Sequence, residues 1–189
     1  KMIGGYPSKD FVNDNFSMWN YTTLFGSWNH TLFQAPGSWV DAAHQNGTDI
    51  MSGMKFFDTT GGRGNGASQW MSFIKEMNDK GEYKYARPLI NLLRFLGMDG
   101  INYNWETSGF DNRNVMAFHK RLYEIAKEEN FNNFHIVIYT MSNILSSFYT
   151  DALFGYNGKR TAEVMLNYDG NGFARDMNAS YRNAKNALQ

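Results

Sequence analysis

The segment DGINYNWE, residues 99–106, alternates apolar and polar side chains and ends on a glutamate. Successive side chains of a β-strand point to opposite faces, so one face of this predicted strand is entirely polar. The polar face carries Asn102, Asn104 and Glu106, and the opposite face carries Ile101, Tyr103 and Trp105. A buried structural strand would place apolar residues on both faces. The pattern therefore indicates either a functional site or a solvent-exposed edge strand.

Around this strand, short apolar segments alternate with longer segments of helical period, which is typical of βα units and a parallel sheet. Strands are predicted over residues 2–3, 22–28, 49–57, 98–105, 134–139 and 162–168. Helices are predicted to begin at the N-cap residues Ser38, Ser68 and Asp111, and a further helix is predicted over residues 85–96. Gly47 and Gly97 follow two of the helical segments and are predicted to end them.

These elements predict an α/β fold, namely a (β/α)8 TIM-type barrel that is incomplete in this chain and has about six βα units. A complete barrel has eight strands and typically about 250 residues. The 189 residues are therefore expected to form a single catalytic-type barrel domain, residues 1–189, within a longer protein. A doubly wound α/β domain is the alternative architecture for a chain of this length.

The composition narrows the class of partner. Eighteen basic and eighteen acidic residues cancel, so no net field favours nucleic acid or an anionic membrane. Aromatic residues make up 16% of the chain, and their flat amphipathic faces suit sugars. The absence of cysteine excludes a disulfide scaffold and a cysteine nucleophile. No apolar run reaches the roughly eighteen residues of a membrane span.

The motif DGINYNWE has the spacing of the DGxDxDxE signature of glycoside hydrolase family 18, with Asn at the second and third Asp positions. It more closely resembles glycoside hydrolase family 85, the endo-β-N-acetylglucosaminidases, where an Asn precedes the catalytic Glu by two residues. Four further segments resemble family 85 in the same chain order: IGGY (3–6), PGSWVDAAHQNGTDIMSG (36–53), VIY (137–139) and MLNYDG (165–170).

The resemblance also has departures. Ile138 lies where family 85 usually has Trp, Thr140 where it has Asp, and Asp169 and Gly170 where aromatic residues commonly follow LNY. Two alternatives therefore stay open beside the family 85 interpretation. One is a chitinase-like hydrolase of family 18, and the other is a glycan-binding protein without catalysis on a degenerate barrel.

The family 85 resemblance implies a glycosidase that cleaves the chitobiose core of N-glycans by substrate-assisted, retaining catalysis. It implies that Glu106 is the acid/base, that Asn104 holds the 2-acetamido group of the substrate, and that Tyr139 donates a hydrogen bond to it. Asn102 is expected to orient Asn104. The residues expected to contact sugar are Asn102, Trp105, Asn167 and Tyr168.

Other expectations concern partners and supporting residues. The expected partner is an N-glycan or another N-acetylglucosamine-containing oligosaccharide, with no nucleic acid, no membrane span and no cofactor. The histidines show no metal-binding spacing, so no metal site is predicted. Asp99 is predicted to fix the strand, His44 to pack or hydrogen-bond within its helix, and Trp19, Trp28 and Trp39 to pack in the core. Export to the periplasm, cell surface or medium is expected from the substrate class alone.

Overall fold

The computed structural model describes residues 16–26, 35, 37–57, 66–106, 111–139, 161–165, 182 and 185, without the side chains of 54–57, 66–68, 104–106 and 112. Its strands are β1 (Leu24–Gly26), β2 (Asp49–Phe57), β3 (Gly100–Glu106), β4 (His135–Tyr139) and β5 (Glu163–Met165). Its α-helices are α1 (Gly37–Gln45), α2 (Gly66–Lys75), α3 (Ala86–Phe95) and α4 (Asn112–Glu128). A 3-10 helix at Trp19–Tyr21 precedes β1.

The five strands form one curled parallel sheet in the order β1-β2-β3-β4-β5, so each strand pairs with the strand before it in the chain. A doubly wound sheet reverses its strand order at a switch point, and the described strands show no reversal. The sheet is therefore a half-barrel that is compatible with part of a TIM-type fold. Six strands were predicted, and the first of them, at residues 2–3, lies outside the described residues.

All four helices pack against one face of the sheet. This outer face carries Ile50, Ile101, Tyr103, Ile136 and Ile138, and each of these side chains is at most 1% exposed. Each fully buried aliphatic side chain contributes about 1.5–3 kcal/mol relative to exposure to water. The opposite, inner face carries Gly26, Met51, Asn102, Val137 and Tyr139 at alternate positions of β1 to β4. The alternation within the 99–106 segment thus separates an apolar face that the helices cover from an inner face that includes the polar residue Asn102.

Two of the predicted helix starts, each one residue after its predicted N-cap, are wrong by two and three residues. Helix α1 begins at Gly37 and α2 at Gly66, so Ser38 and Ser68 lie inside their helices and not at the N-cap. Glycine in a first turn has only a small energetic cost, so a nearby serine does not fix the boundary. The prediction for Asp111 is confirmed, because its side chain accepts a hydrogen bond from the Asn114 backbone N–H at 3.3 Å.

The predicted helix ends are confirmed at both glycines. Gly47 and Gly97 each have a φ of 70°, a left-handed conformation that is open to glycine without steric cost. At Gly97 a Cβ would also lie 2.7 Å from Cγ1 of Val40 on α1. The glycine therefore ends α3 and lets α1 approach closely.

Candidate active site

The carboxyl-terminal ends of β3 and β4 bring together the residues predicted to be catalytic. Glu106 is the last residue of β3, and Tyr139 is the last residue of β4. The strand register pairs Asn104 directly with Tyr139, whose side chain is 5% exposed. In barrels of parallel strands the active site lies at this end of the sheet. The side chains of Asn104, Trp105 and Glu106 lie outside the described residues, as do Asn167 and Tyr168 entirely.

Asn102 lies one layer deeper on the inner face. Its register neighbours are Gly53 on β2 and Val137 on β4. The side chain is 6% exposed, and its Oδ1 atom has no hydrogen-bond partner among the described residues. Most buried polar atoms in proteins are hydrogen-bonded, so an unpaired amide oxygen at this depth requires an explanation.

Behind β3, on the outer face, lies a buried aromatic layer. Tyr103 is 1% exposed, and burial raises the pKa of its hydroxyl well above the ordinary value. The ring centroids of Trp70 and His119 each lie 5.6 Å from that of Tyr103. Burial lowers the pKa of His119 to about 3, so this histidine is neutral at neutral pH. This layer holds the strand from the side opposite to Asn102.

Sequence reasoning missed this layer. His119 falls on the apolar face of α4 beside Phe118 and Leu122, and all three are at most 1% exposed. A histidine in the apolar stripe of a long amphipathic helix is the one signal in the sequence that could have indicated it.

At the amino-terminal end of β3, the carboxylate of Asp99 links three elements. It accepts hydrogen bonds from the Ile50 backbone N–H at 2.8 Å and from Nδ2 of Asn133 at 2.7 Å. Nε2 of His44 lies 2.7 Å from the same carboxylate. The prediction that Asp99 fixes the strand is confirmed. The prediction that His44 packs or hydrogen-bonds within its helix is wrong, because its polar contact is with Asp99, 55 residues away in the sequence. A helical pattern cannot reveal a contact between residues so far apart in the chain.

A second part of this end joins β2, β4 and β5. Nε2 of His135 lies 2.8 Å from Asp49, and its Nδ1 lies 3.4 Å from Glu163. Asn133 donates to Asp49 as well as to Asp99, at 3.0 Å to the former. Gly100 lies between these strands, where a Cβ would come within 2.0 Å of the His135 carbonyl oxygen. The lack of a side chain at Gly100 is therefore required for the close approach of β3 and β4.

Several remaining predictions concern the walls of the site. Trp19 and Trp39 pack against the hydrophobic core, as predicted, and Trp28 lies outside the described residues. Ile138, the first departure from family 85, is buried on the outer face. That departure therefore alters the core behind β4 and not the inner face. Thr140, Asp169 and Gly170 lie outside the described residues.

Over the ranges that the structure covers, no group of three or more His, Cys, Asp or Glu residues is arranged to hold a metal ion. Within the same ranges, no helix is both long and apolar enough to cross a membrane.

Comparison with known proteins shows the family of the chain. The sequence model of Glycosyl hydrolase family 85 matches residues 4–184 of the 189-residue chain. The protein is therefore a glycoside hydrolase. The match covers nearly the whole chain, and the chain belongs to family 85, the endo-β-N-acetylglucosaminidase family. Among curated proteins, none matches the chain significantly.

Proposed function

We propose that this protein cleaves the glycosidic bond within the chitobiose core of N-glycans, with retention of configuration and with the substrate's own acetamido group as nucleophile. Membership of family 85 supports the reaction class. The observation that carries the proposal is the register of the central strands. It places Asn104 beside Tyr139, and Glu106 lies at the end of the same strand as Asn104.

Glu106 acts as the acid/base in this proposal. It protonates the departing glycosidic oxygen and later removes a proton from the incoming water or acceptor sugar. Most retaining glycosidases use two carboxylates about 5 Å apart, whereas substrate-assisted enzymes need one because the 2-acetamido oxygen attacks the anomeric carbon. A single carboxylate among the polar positions of β3 is consistent with that chemistry.

Asn104 and Tyr139 act on the acetamido group. The amide of Asn104 can donate or accept as this group closes into an oxazoline-like intermediate, and the Tyr139 hydroxyl can donate to it. The residues proposed to contact the sugar are Asn102, Trp105, Asn167 and Tyr168. Export of the protein to the periplasm, cell surface or medium is proposed from the substrate class alone.

A release assay with Glu106→Gln tests the proposal. The full-length protein is incubated separately with a high-mannose glycoprotein and with chitin oligosaccharides, and the released sugars are quantified. We expect the unmodified protein to release N-glycans and Glu106→Gln to release none. Glu163→Gln is the matched control, because Glu163 is an inner-face carboxylate at the first residue of β5, two strands away from β3, where it contacts His135, and the variant should keep release.

The other outcomes separate the alternatives. Cleavage of chitin oligosaccharides without release of N-glycans would contradict the proposal in favour of a chitinase-like hydrolase. Glycan binding without release by either protein would contradict it in favour of a glycan-binding protein.

A further inference from the structure

The amide of Asn102 is a buried polar group whose oxygen has no hydrogen-bond partner among the described residues. The side chain is 6% exposed, and its Oδ1 atom accepts no hydrogen bond from any residue that the structure describes. Only three residues earlier on the same chain, the carboxylate of Asp99 is contacted by three donors. An amide left unpaired in a buried position disfavours the folded state, so a donor that arrives with a ligand would relieve this cost.

The two register neighbours of Asn102 on the inner face cannot supply the donor. In the strand register it lies between Gly53 and Val137, and neither side chain has a polar atom. Met51, one layer below on β2, is also buried and carries no donor. Asn102 therefore lies directly between a glycine and an apolar side chain, and the next inner-face position in its register row, beyond Val137, is Glu163 on β5.

Gly26 on β1 gives this amide its space. A Cβ on Gly26 would lie 2.9 Å from Nδ2 of Asn102 and 3.8 Å from the methyl carbon of Met51. Glycine at position 26 thus leaves space on the inner face beside the Asn102 amide. Any larger residue would push the side chain of Asn102 from its position, because that side chain is short and its end is the nearest atom.

Strand geometry places Asn102 directly beneath the proposed catalytic positions. It precedes Asn104 by two residues on β3, which corresponds to about 6.6 Å along a strand. A sugar held at Asn104 and Tyr139 therefore has its most deeply inserted group facing Asn102. The ligand chemistry that matches an unpaired amide oxygen between Gly53 and Val137 is an N–H or O–H donor.

We propose that Asn102 is a specificity-determining residue of the glycan site, where its Oδ1 atom accepts a hydrogen bond from an N–H or O–H group of the bound N-acetylglucosamine unit. This inference rests on the proposed function. For the sugar contact already proposed for Asn102, it specifies the accepting atom and the kind of sugar group that donates to it. A water molecule beneath the sugar is the other possible source of the same donor.

The test compares glycan affinity and thermal stability in the full-length protein carrying Glu106→Gln, so that the ligand is not consumed. The probe is a glycopeptide with an intact chitobiose core, titrated calorimetrically. Asn102→Leu keeps a similar volume and removes the amide, and we expect its affinity to fall about tenfold. Its melting temperature without ligand should be unchanged or higher, because an unpaired buried amide has been removed.

Ser52→Ala is the matched control. Ser52 lies on β2, is 0% exposed and has a hydroxyl without a hydrogen-bond partner among the described residues, but its register partner is Ile101 on the outer face. We expect Ser52→Ala to leave glycan affinity within about twofold. Loss of affinity in both variants would overturn the proposal, because the effect would then be general to buried polar atoms of the sheet.

Gly26→Ala gives a second, independent variant. It keeps the amide of Asn102 but displaces it, so affinity should fall in the same direction. The double variant with Asn102→Leu should bind no more weakly than Asn102→Leu alone, because the two changes act on the same contact.

Two results would overturn the inference, and they differ from failure of the proposed function. Equal affinity of Asn102→Leu and its parent would remove Asn102 from the sugar contacts. A lowered melting temperature with unchanged affinity would assign the amide oxygen to a bound water. Absence of binding by the Glu106→Gln protein itself would overturn the proposed function together with this inference.

Discussion

The two ends of the sheet carry similar polar side chains in different environments. At the amino-terminal end, here called the base, charged and amide groups bond to one another. The base consists of His44, Asp49, Asp99, Asn133, His135 and Glu163. At the carboxyl-terminal end, here called the rim, the polar positions include Asn104, Glu106 and Tyr139, and Lys55 on β2 is in register with Asn104. One layer below the rim, Asn102 has an amide oxygen without a described partner.

The same difference is typical of barrels of parallel strands, where residues at the amino-terminal end stabilise the fold and residues at the carboxyl-terminal end form the active site. A group whose hydrogen-bonding capacity is used within the protein is not available to a ligand. The comparison therefore predicts that changes at the base alter the free energy of unfolding, whereas changes at the rim alter turnover.

The largest effect is expected at the rim, from Asn104→Ala. Removal of one group that stabilises a developing intermediate lowers kcat by about 10²–10³-fold, equivalent to about 3–4 kcal/mol. Glycan release should fall by this factor, while the circular dichroism spectrum and melting temperature stay close to those of the unmodified protein. Unchanged turnover would refute the role of Asn104 and the contrast between the two ends.

The next effect is expected at the base, from Asp99→Ala. The substitution leaves the Ile50 backbone N–H without this acceptor and removes one of the two carboxylates to which the Asn133 amide donates. We expect the free energy of unfolding, measured with urea, to fall by about 3 kcal/mol. Asp41→Ala, at an exposed position of α1, is the control and should stay within about 0.5 kcal/mol. If Asp99→Ala were as stable as the control, the base would not be a stabilising network.

His119 tests whether the buried layer behind β3 belongs with the base in acting on stability. Its pKa is lowered to about 3 in the folded protein, and the ordinary value is 6.5. Below about pH 6.5 the unfolded chain therefore binds a proton that the folded protein does not, and stability falls as the pH falls towards 3. Between about pH 7.5 and about pH 5 this group alone should cost about 2 kcal/mol.

Urea unfolding of His119→Phe across the same pH range isolates that contribution. Phe fills a similar apolar volume and cannot titrate, so the variant should lose about 2 kcal/mol less than the unmodified protein on acidification. Parallel pH profiles for the two proteins would show that His119 does not stay neutral in the folded state.

The smallest effect is expected from Glu163→Gln at the edge of the base. The Glu163 side chain is 36% exposed and lies 3.4 Å from Nδ1 of His135. Partly exposed ion pairs contribute about 0–1 kcal/mol, so the melting temperature should change little and glycan release should be unaffected. A loss as large as that of Asp99→Ala would show that the exposed edge of the base is as important as its buried centre.

Local sequence signals predicted most of the elements of this fold, because periodicity and capping are local properties. The five described strands lie where apolar runs predict them, and Asp111, Gly47 and Gly97 bound helices as expected. The helix starts near Ser38 and Ser68 were misplaced because a hydroxyl can lie inside a first turn as well as before it.

The candidate site was predictable in its residue types and not in its depth. Alternation along 99–106 correctly separated Ile101 and Tyr103 from Asn102. The environment of Asn102 was not visible, since it depends on which residues of β1 and β2 lie beside it. The contact of His44 with Asp99 and the position of His119 behind Tyr103 were also not visible, because both join residues from separate elements.

The sequential strand order has a consequence for biosynthesis. Because each strand pairs with its immediate predecessor, the sheet can grow one strand at a time in the order of translation. β2 and β3 can pair before β4 is synthesised, and the other edge of β3 then stays unpaired until β4 is available. Asn104 and Tyr139 become neighbours only at that step, so the rim is completed later than the helix-covered core of α1 to α3.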